Sequence, residues 1–453
     1  MAIILRLEIL QMKSIRIKDN ECRIKEDFID VQSITKAISD KTLEQLERDG
    51  IFVFPELINE TDDFTRDQFV LRSINDCYCS SNVMGFLGCG DERLTIESRF
   101  SNNEQDYLFQ YLLEKVLDCP NIIDLETDAL RDNRMHPLLV FLFPSFLTSA
   151  LRKGVFRTYV HKEYNDENVK GVIDIDRHIR NNIPFTGNIA YAQREFVYNN
   201  YLIQLVRHTI EYIKRKPYGH SILAKSKEDI KLIVDATPDY DIKDLRKVII
   251  ENKKNTVRHA YYHEYRKLQN LCLLILQNEN PQVGYGPKKV FGLLFDGAWL
   301  WEEYVGKLIA EDFYHPMNKA NSGAQRLFSG KSGIIYPDFI GKDSNYRIIA
   351  DAKYKPDNNI ANKDYLQVLA YMYRFDSKRG YYLYPEIDDK DDKVLWLNQG
   401  VSYENNVSRR DDISIIKHGL KIPVNSPDYN SFVSEIKKNE MLFIEKIKQN
   451  VIA

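Results

Sequence analysis

The chain has no long apolar run. Nothing in it approaches the roughly 18–20 consecutive apolar residues of a membrane-spanning helix, and the best stretch, Leu138 to Phe143, is stopped by Pro144. The opening MAIILRLEIL lacks a charged leader, a long apolar core and a cleavage site. No secretory signal is therefore expected, and the chain is expected to be cytoplasmic, with no membrane partner. Cysteine is scarce: Cys22, Cys77, Cys79, Cys89, Cys119 and Cys272 are scattered, and only one residue separates Cys77 from Cys79. Zinc knuckles need at least two, so reduced thiols are expected rather than a metal centre. An excess of positive charge is also missing. With 63 Lys+Arg against 66 Asp+Glu the formal net charge is -3, so any nucleic-acid contact must come from a local patch or be shared with a partner. The absence of internal repeats and low-complexity tracts excludes a solenoid.

Nucleotide-binding loops are missing as well. A P-loop needs Gly five positions before Gly330 of SGKSG, but Gln325 stands there and no helix follows. This segment reads as the turn leading to Asp338. GFLGCG at Gly85–Gly90 precedes the strand-like DERLTIESRF and reads as a glycine-rich turn, not a dinucleotide fingerprint. His259 and His263 stand one helical turn apart without a third ligand nearby in sequence, which suits a solvated helix face. No nucleotide is expected to bind to this chain itself.

What the chain does have is length and aromatic surface. With 453 residues, 28 Tyr and 22 Phe, it can bury more than one core. An α+β protein in three parts is expected. Residues 1–124 mix strand-like runs (Ile3–Leu10, Ile51–Phe54, Leu94–Ser98) with turns and a helix at Tyr107–Leu117, a β-rich N-terminal domain suited to partner docking. Residues 125–280 are mainly helical, with apolar residues at three- and four-residue spacing in Leu138–Leu151, Leu202–Ile213 and Tyr261–Leu276. After a Gly/Pro cluster at Gly284–Lys289, residues 281–453 change rhythm. Helix Ala298–Phe313, strands Gly333–Ile340 and Tyr346–Lys353, helix Lys363–Phe375, strand Gly380–Leu383, further strands near Val394 and Ile413, and a final helix over Ser431–Lys448 are predicted.

The chemistry concentrates in YPDFIGKDSNYRIIADAKYK. Asp338 and Asp351 are separated by a hairpin's spacing, and alternation along the second strand puts Asp351 and Lys353 on one face. Two neighbouring carboxylates repel unless a cation sits between them. Mg²⁺, one ion or two, is expected because it prefers hard oxygens and keeps waters for a phosphate. Lys353 would orient the attacking water or neutralise developing charge, which is the chemistry of phosphodiester hydrolysis. In AWLWEEYVGKLI the stripe Leu300, Trp301, Tyr304, Val305, Leu308 and Ile309 marks a buried face, and Glu302 lies nearer its edge than Glu303. Glu302 thus joins Asp338 and Asp351 as a candidate metal ligand. Asp364, Gln367 and Tyr371 share one helical face, from which Gln367 would position water or a backbone phosphate. Residues 151–216 hold 12 Lys/Arg against 7 Asp/Glu. Lys170, Arg177, Arg180 and Arg194 there, with Lys355 beside the acidic cluster, are candidates for DNA phosphate contacts. Arg177 and Arg180 are, however, interleaved with Asp174 and Asp176, as in internal ion pairs.

The order Glu302, Asp338, Asp351-x-Lys353, Gln367 resembles the PD-(D/E)xK nuclease superfamily. The surrounding text resembles more closely the McrC family, the nuclease subunits of McrBC-type and LlaJI-like restriction systems. LWEEYV at Leu300–Val305 is similar to that family's LFExYV block, with Trp301 in place of the usual Phe. NVMGFLGCGDERLTIESRF at Asn82–Phe100, KGVIDIDRHIR and EFVYNNYLIQLVRH resemble its N-terminal and middle regions, so the likeness spans about residues 80 to 380. The resemblance implies a C-terminal PD-(D/E)xK core cutting double-stranded DNA. It also implies a separate McrB-like AAA+ GTPase ring whose hydrolysis this chain stimulates. Two other functions are compatible with the sequence: a non-cleaving adaptor that activates the motor, and a stand-alone repair or mobile-element nuclease.

Overall fold

The computed structural model describes residues 13–54, 68–101, 106–117, 135–278, 290–316, 324–330, 332–344, 346–388, 390–400 and 407–452. The strand expected at Ile3–Leu10, the cluster at Gly284–Lys289 and Cys119 lie outside them. The protein is mixed α+β and separates into two compact units, residues 1–128 with 286–453, and residues 129–285.

The first unit is organised by two larger sheets. One has five strands in the order Lys13–Lys18, Glu92–Glu97, Val83–Cys89, Phe291–Asp296, Phe52–Phe54. FGLLFD at Phe291–Asp296 is buried at every position, as suits a strand covered on both faces. Its two edges are paired by Val83–Cys89, to which it runs antiparallel, and Phe52–Phe54, to which it runs parallel. Val290 and Leu294 join Ile34, Leu46, Leu71, Leu87 and Ile96 in one core cluster. Sequence rhythm suggested that the two ends of the chain form separate parts, yet this sheet contains both. A boundary cue marks a change in local pattern; it does not reveal that a distant strand supplies the missing neighbour.

Gly85 is required by this pairing, since a Cβ there would lie 2.1 Å from the Leu293 carbonyl oxygen. Only Gly90 of the expected glycine-rich turn lies outside the strand, because the run before it pairs on both edges. Beside this sheet, Cys22 and Cys79 stand opposite each other on antiparallel strands and their sulfurs are bonded. This departs from the expectation of free thiols, which spacing along the chain could not foresee because the pair is created by cross-strand register. Cys77, Cys89 and Cys272 are free.

The second sheet of this unit has six strands, ordered Phe313–Tyr314, Phe339–Gly341, Ile348–Ala352, Arg379–Glu386, Ser408–Lys421, Lys393–Gln399. Its three central strands, beginning with Ile348–Ala352, run parallel. The connection from Ile348–Ala352 to Arg379–Glu386 passes through helix Asn362–Arg374, as parallel pairing requires a crossover. Helix Gly297–Leu308 starts where Asp296 Oδ1 accepts the Trp299 N–H at 2.8 Å, an N-cap. It ends earlier than the 3.6-residue rhythm predicts, because Phe313 and Tyr314 pair with Gly341 and Ile340. Helix Tyr429–Ile452 brings in Glu440, whose Oε1 accepts both the Tyr111 and Tyr304 hydroxyls at 2.7 Å. Three helices distant in sequence are fastened at this one buried carboxylate, and that fixes the helix carrying Glu302.

The second unit packs helices Met135–Leu151, Tyr201–Lys214, Leu245–Lys254 and His263–Asn278. The expectation of a mainly helical region overlooks a three-stranded sheet, ordered Thr158–Asp166, Ile189–Val197, Val172–Ile173. Thr158–Asp166 alternates half-buried and exposed residues, and only Ala190 and Tyr191 of Ile189–Val197 are buried, so the sheet has no continuous apolar face for the sequence to reveal. Among the described residues, no helix is long and apolar enough to cross a membrane.

Candidate active site

Asp338 stands immediately before the strand Phe339–Gly341, and Asp351 lies within Ile348–Ala352. Antiparallel pairing of Phe339 with Ala350 and Ile340 with Ile349 fixes their register. The two acids are thereby brought to the same end of the strand pair, and both are buried, with Asp351 at 1% exposure. Asp338 Oδ2 accepts the backbone N–H of Ala352 at 2.8 Å. The Lys353 ammonium lies 2.6 Å from Asp351 Oδ2.

The charges of these groups act on one another. Burial pushes the Asp338 carboxyl well above the usual carboxylate range, and the charges of Asp351 and Glu302 push it further. Lys353 and the Ala352 N–H oppose that rise without cancelling it. At Lys353, burial alone would favour the neutral amine; Asp351 and Asp338 outweigh it and hold the ammonium more firmly than usual.

Glu302 enters from helix Gly297–Leu308. Its charge acts on Asp338, whereas Glu303 Oε1 accepts the Trp299 indole N–H at 3.1 Å. The two glutamates flank His315, whose Nε2 lies 3.9 Å from Glu302 and 3.8 Å from Glu303. Its Nδ1 is 2.9 Å from the Asp338 carbonyl oxygen and so donates to it. Burial would lower the His315 pKa, but Glu303, the Asp338 carbonyl and Glu302 raise it overall. Sequence reasoning missed His315: a lone His after a helix carries no local pattern, and its role arises only from the Phe313–Tyr314 pairing.

Gln367 lies on helix Asn362–Arg374, where its Nε2 donates to the Tyr371 hydroxyl at 2.7 Å. Lys355, considered for DNA contact, is 2.7 Å from Asp364. In the second unit, the Arg177 guanidinium donates to Glu163 at 2.7 Å and to the Tyr164 and Tyr191 carbonyls at 2.9 and 2.6 Å. It holds its own sheet together. Lys170, Arg180 and Arg194 are exposed, and Arg194 lies over the Tyr159 ring at 5.9 Å.

No set of three or more His, Cys, Asp and Glu side chains is gathered as a metal site among the described residues. Mg²⁺ needs fewer protein ligands, since it keeps several waters and is commonly held by one or two carboxylates. Asp338 and Asp351 offer hard oxygens on adjacent strands, already repelling one another, and a divalent ion suits that donor set.

A family model described as McrBC 5-methylcytosine restriction system component matches residues 80–385. The chain belongs to that family. Among solved structures, it is similar to a refined half-complex from a tetradecameric assembly of Thermococcus gammatolerans McrB AAA+ hexamers with bound McrC. Identity is 16%, coverage 96% of this chain and 100% of that one, and the TM-score 0.49. It is also similar to a chain of the Thermococcus gammatolerans McrBC complex, at 16% identity, 66% and 87% coverage and a TM-score of 0.29. No curated protein matches.

Proposed function

We propose that this chain is the Mg²⁺-dependent DNA endonuclease subunit of a GTP-driven restriction system, working in the cytoplasm with an AAA+ GTPase ring. The observation that carries the reading is the buried pair Asp338 and Asp351, with the Lys353 ammonium 2.6 Å from Asp351. Membership of the restriction-component family supports it. The sheet holding Ile348–Ala352, with helices Gly297–Leu308 and Asn362–Arg374, is read as a PD-(D/E)xK core.

Asp338 and Asp351 would hold the metal, with Glu302 completing the acidic set. The bound ion would supply Lewis-acid polarisation of the scissile phosphate and a more acidic bound water. Lys353 keeps its proton at Nζ and neutralises charge developing on the phosphate. Gln367 would orient water through its amide oxygen, or a neighbouring phosphate through the second N–H of Nε2, the first being donated to Tyr371. DNA contact is assigned to the exposed Lys170, Arg180 and Arg194 and to Lys355, while Arg177 is kept for structure.

The test is cleavage of double-stranded plasmid by the full chain with its AAA+ partner, with and without GTP, on methylated and unmethylated DNA. Asp338→Asn is expected to lower metal-dependent cutting by about 100-fold or more while preserving stimulation of GTP hydrolysis. Undiminished cutting by that variant refutes the reading. A wild-type chain that stimulates the GTPase but never cuts would instead be an adaptor. Robust cutting without a partner would make it a self-sufficient nuclease.

A further inference from the structure

We propose that Tyr354 is a positioning residue, whose buried hydroxyl bond to Ser98 anchors the Asp351–Lys353 segment to the N-terminal sheet and so sets where the Lys353 ammonium meets Asp351. This rests on the nuclease reading above.

Tyr354 follows Lys353 directly, and it is 4% exposed. The strand ends at Ala352, and the Lys355 N–H donates to the Lys353 carbonyl at 2.9 Å in a tight turn centred on Tyr354, so holding the Tyr354 ring constrains the Lys353 backbone next to it. The Tyr354 hydroxyl lies 2.6 Å from Ser98 Oγ and 3.4 Å from Met84 Sδ. Ser98 Oγ accepts the Phe100 N–H at 3.2 Å. With Tyr354 donating to the sulfur, the Ser98 hydroxyl is left as the donor to Tyr354, and the chain of bonds is complete. Met84 lies in the five-stranded sheet and Ser98 immediately follows its Glu92–Glu97 strand.

The ring is held as tightly as the hydroxyl. Phe100 meets it edge-on at 5.0 Å, and the Arg99 guanidinium lies 5.0 Å from its centroid. Gly297, the first residue of the helix carrying Glu302, packs so closely that a Cβ there would lie 2.7 Å from the Tyr354 ring. A second clamp acts from the other direction. The Leu383 carbonyl accepts both the Lys353 backbone N–H and the Trp301 indole N–H, each at 3.0 Å. Lys353 and the Glu302 helix are therefore located by a common acceptor and a common aromatic ring. The N-terminal sheet, otherwise remote from the chemistry in sequence, supplies the fixed end of that assembly.

The experiment compares Tyr354→Phe, Ser98→Ala and the double variant in the full chain with its AAA+ partner, with Asp338→Asn as control. Mn²⁺ affinity by calorimetry on the chain alone and the Mg²⁺ half-saturation of cleavage are read alongside cleavage rate and thermal unfolding. Both single variants should unfold cooperatively, yet bind Mn²⁺ and cut DNA about 10-fold less well, the usual scale for loss of a group that orients a metal site. The double variant should be no worse than either single one, because both changes remove the same bond. Unchanged Mn²⁺ affinity and cleavage in the single variants, or additive losses in the double, overturn the proposal. So does a lowered unfolding temperature with unchanged Mn²⁺ affinity, which marks a merely structural role. If these results come with an inactive Asp338→Asn control, only the positioning role falls. If Asp338→Asn cuts normally, the nuclease reading falls and takes this one with it.

Discussion

The six-stranded sheet of the first unit and the three-stranded sheet of the second use charged residues in opposite ways. In the former, Asp338 and Asp351 are buried with Lys353 half-buried beside them, and burial is the first cause of the shift at Asp338. In the latter, ionic groups line an open surface. Arg194 rests on Tyr159, Arg157 lies 3.8 Å from the Tyr198 ring centroid, and Tyr159 meets Phe196 at 5.0 Å. Among buried charges, each group's protonation depends on its neighbours. Charge in solvent is screened.

The contrast is broken most severely at Lys353. Replacing it with Met leaves two buried carboxyls without their cation, and a loss of about 3 kcal/mol is expected in denaturant unfolding at neutral pH. Stability should return on acidification, as those carboxyls take up protons. A variant as stable as wild type at pH 8 would mean that the site is wetter than its burial implies.

Asp106 sharpens the same point away from the chemistry. It is buried, caps helix Tyr107–Val116 by accepting the Phe109 N–H at 3.0 Å, and accepts the Ser98 N–H as well. Burial nevertheless raises its pKa to about 7. The folded state then holds this proton more tightly than the unfolded chain does. The stability it contributes is full below the ordinary value of 3.8 and is lost as pH rises through about 7. Asp106→Asn cannot ionise. Unfolding free energies measured from pH 5 to 8 should therefore fall by about 1–3 kcal/mol less in the variant than in wild type. A parallel pH dependence in the two proteins would contradict the assignment.

In the second unit, effects should be smaller and divided by burial. Arg177→Ala removes a guanidinium bonded to two carbonyls and Glu163, and about 1–2 kcal/mol of stability should go with it. Arg194→Ala should stay within about 0.5 kcal/mol of wild type in stability. Instead it should reduce the salt dependence of DNA binding by about one unit of slope. Equal stability losses at Arg177 and Arg194, or an unchanged salt slope for Arg194→Ala, would erase the distinction between them.

Much of the first unit's C-terminal half was legible beforehand. Helices at Gly297–Leu308, Asn362–Arg374 and Tyr429–Ile452 follow from apolar spacing, whereas the strand expected to carry both Asp351 and Lys353 ends at Ala352. Glu302 was set apart from Glu303 by helical angle. The three-stranded sheet was hidden, because its largely half-exposed strands bury no continuous apolar face. His315, Tyr354 and Ser98 were hidden for a different reason: each is an ordinary residue until a distant segment supplies its partner.

Sequence by itself determined the inventory: which residues can bear charge, which runs must be buried, and which text marks a restriction-system component. Tertiary structure alone decided that Phe291–Asp296 completes a sheet begun nearly 300 residues earlier, and that Tyr354 closes on Ser98 across 256 positions. Local spacing encodes local geometry. A neighbour's identity is settled only when apolar faces and buried polar atoms from the whole chain find partners at once.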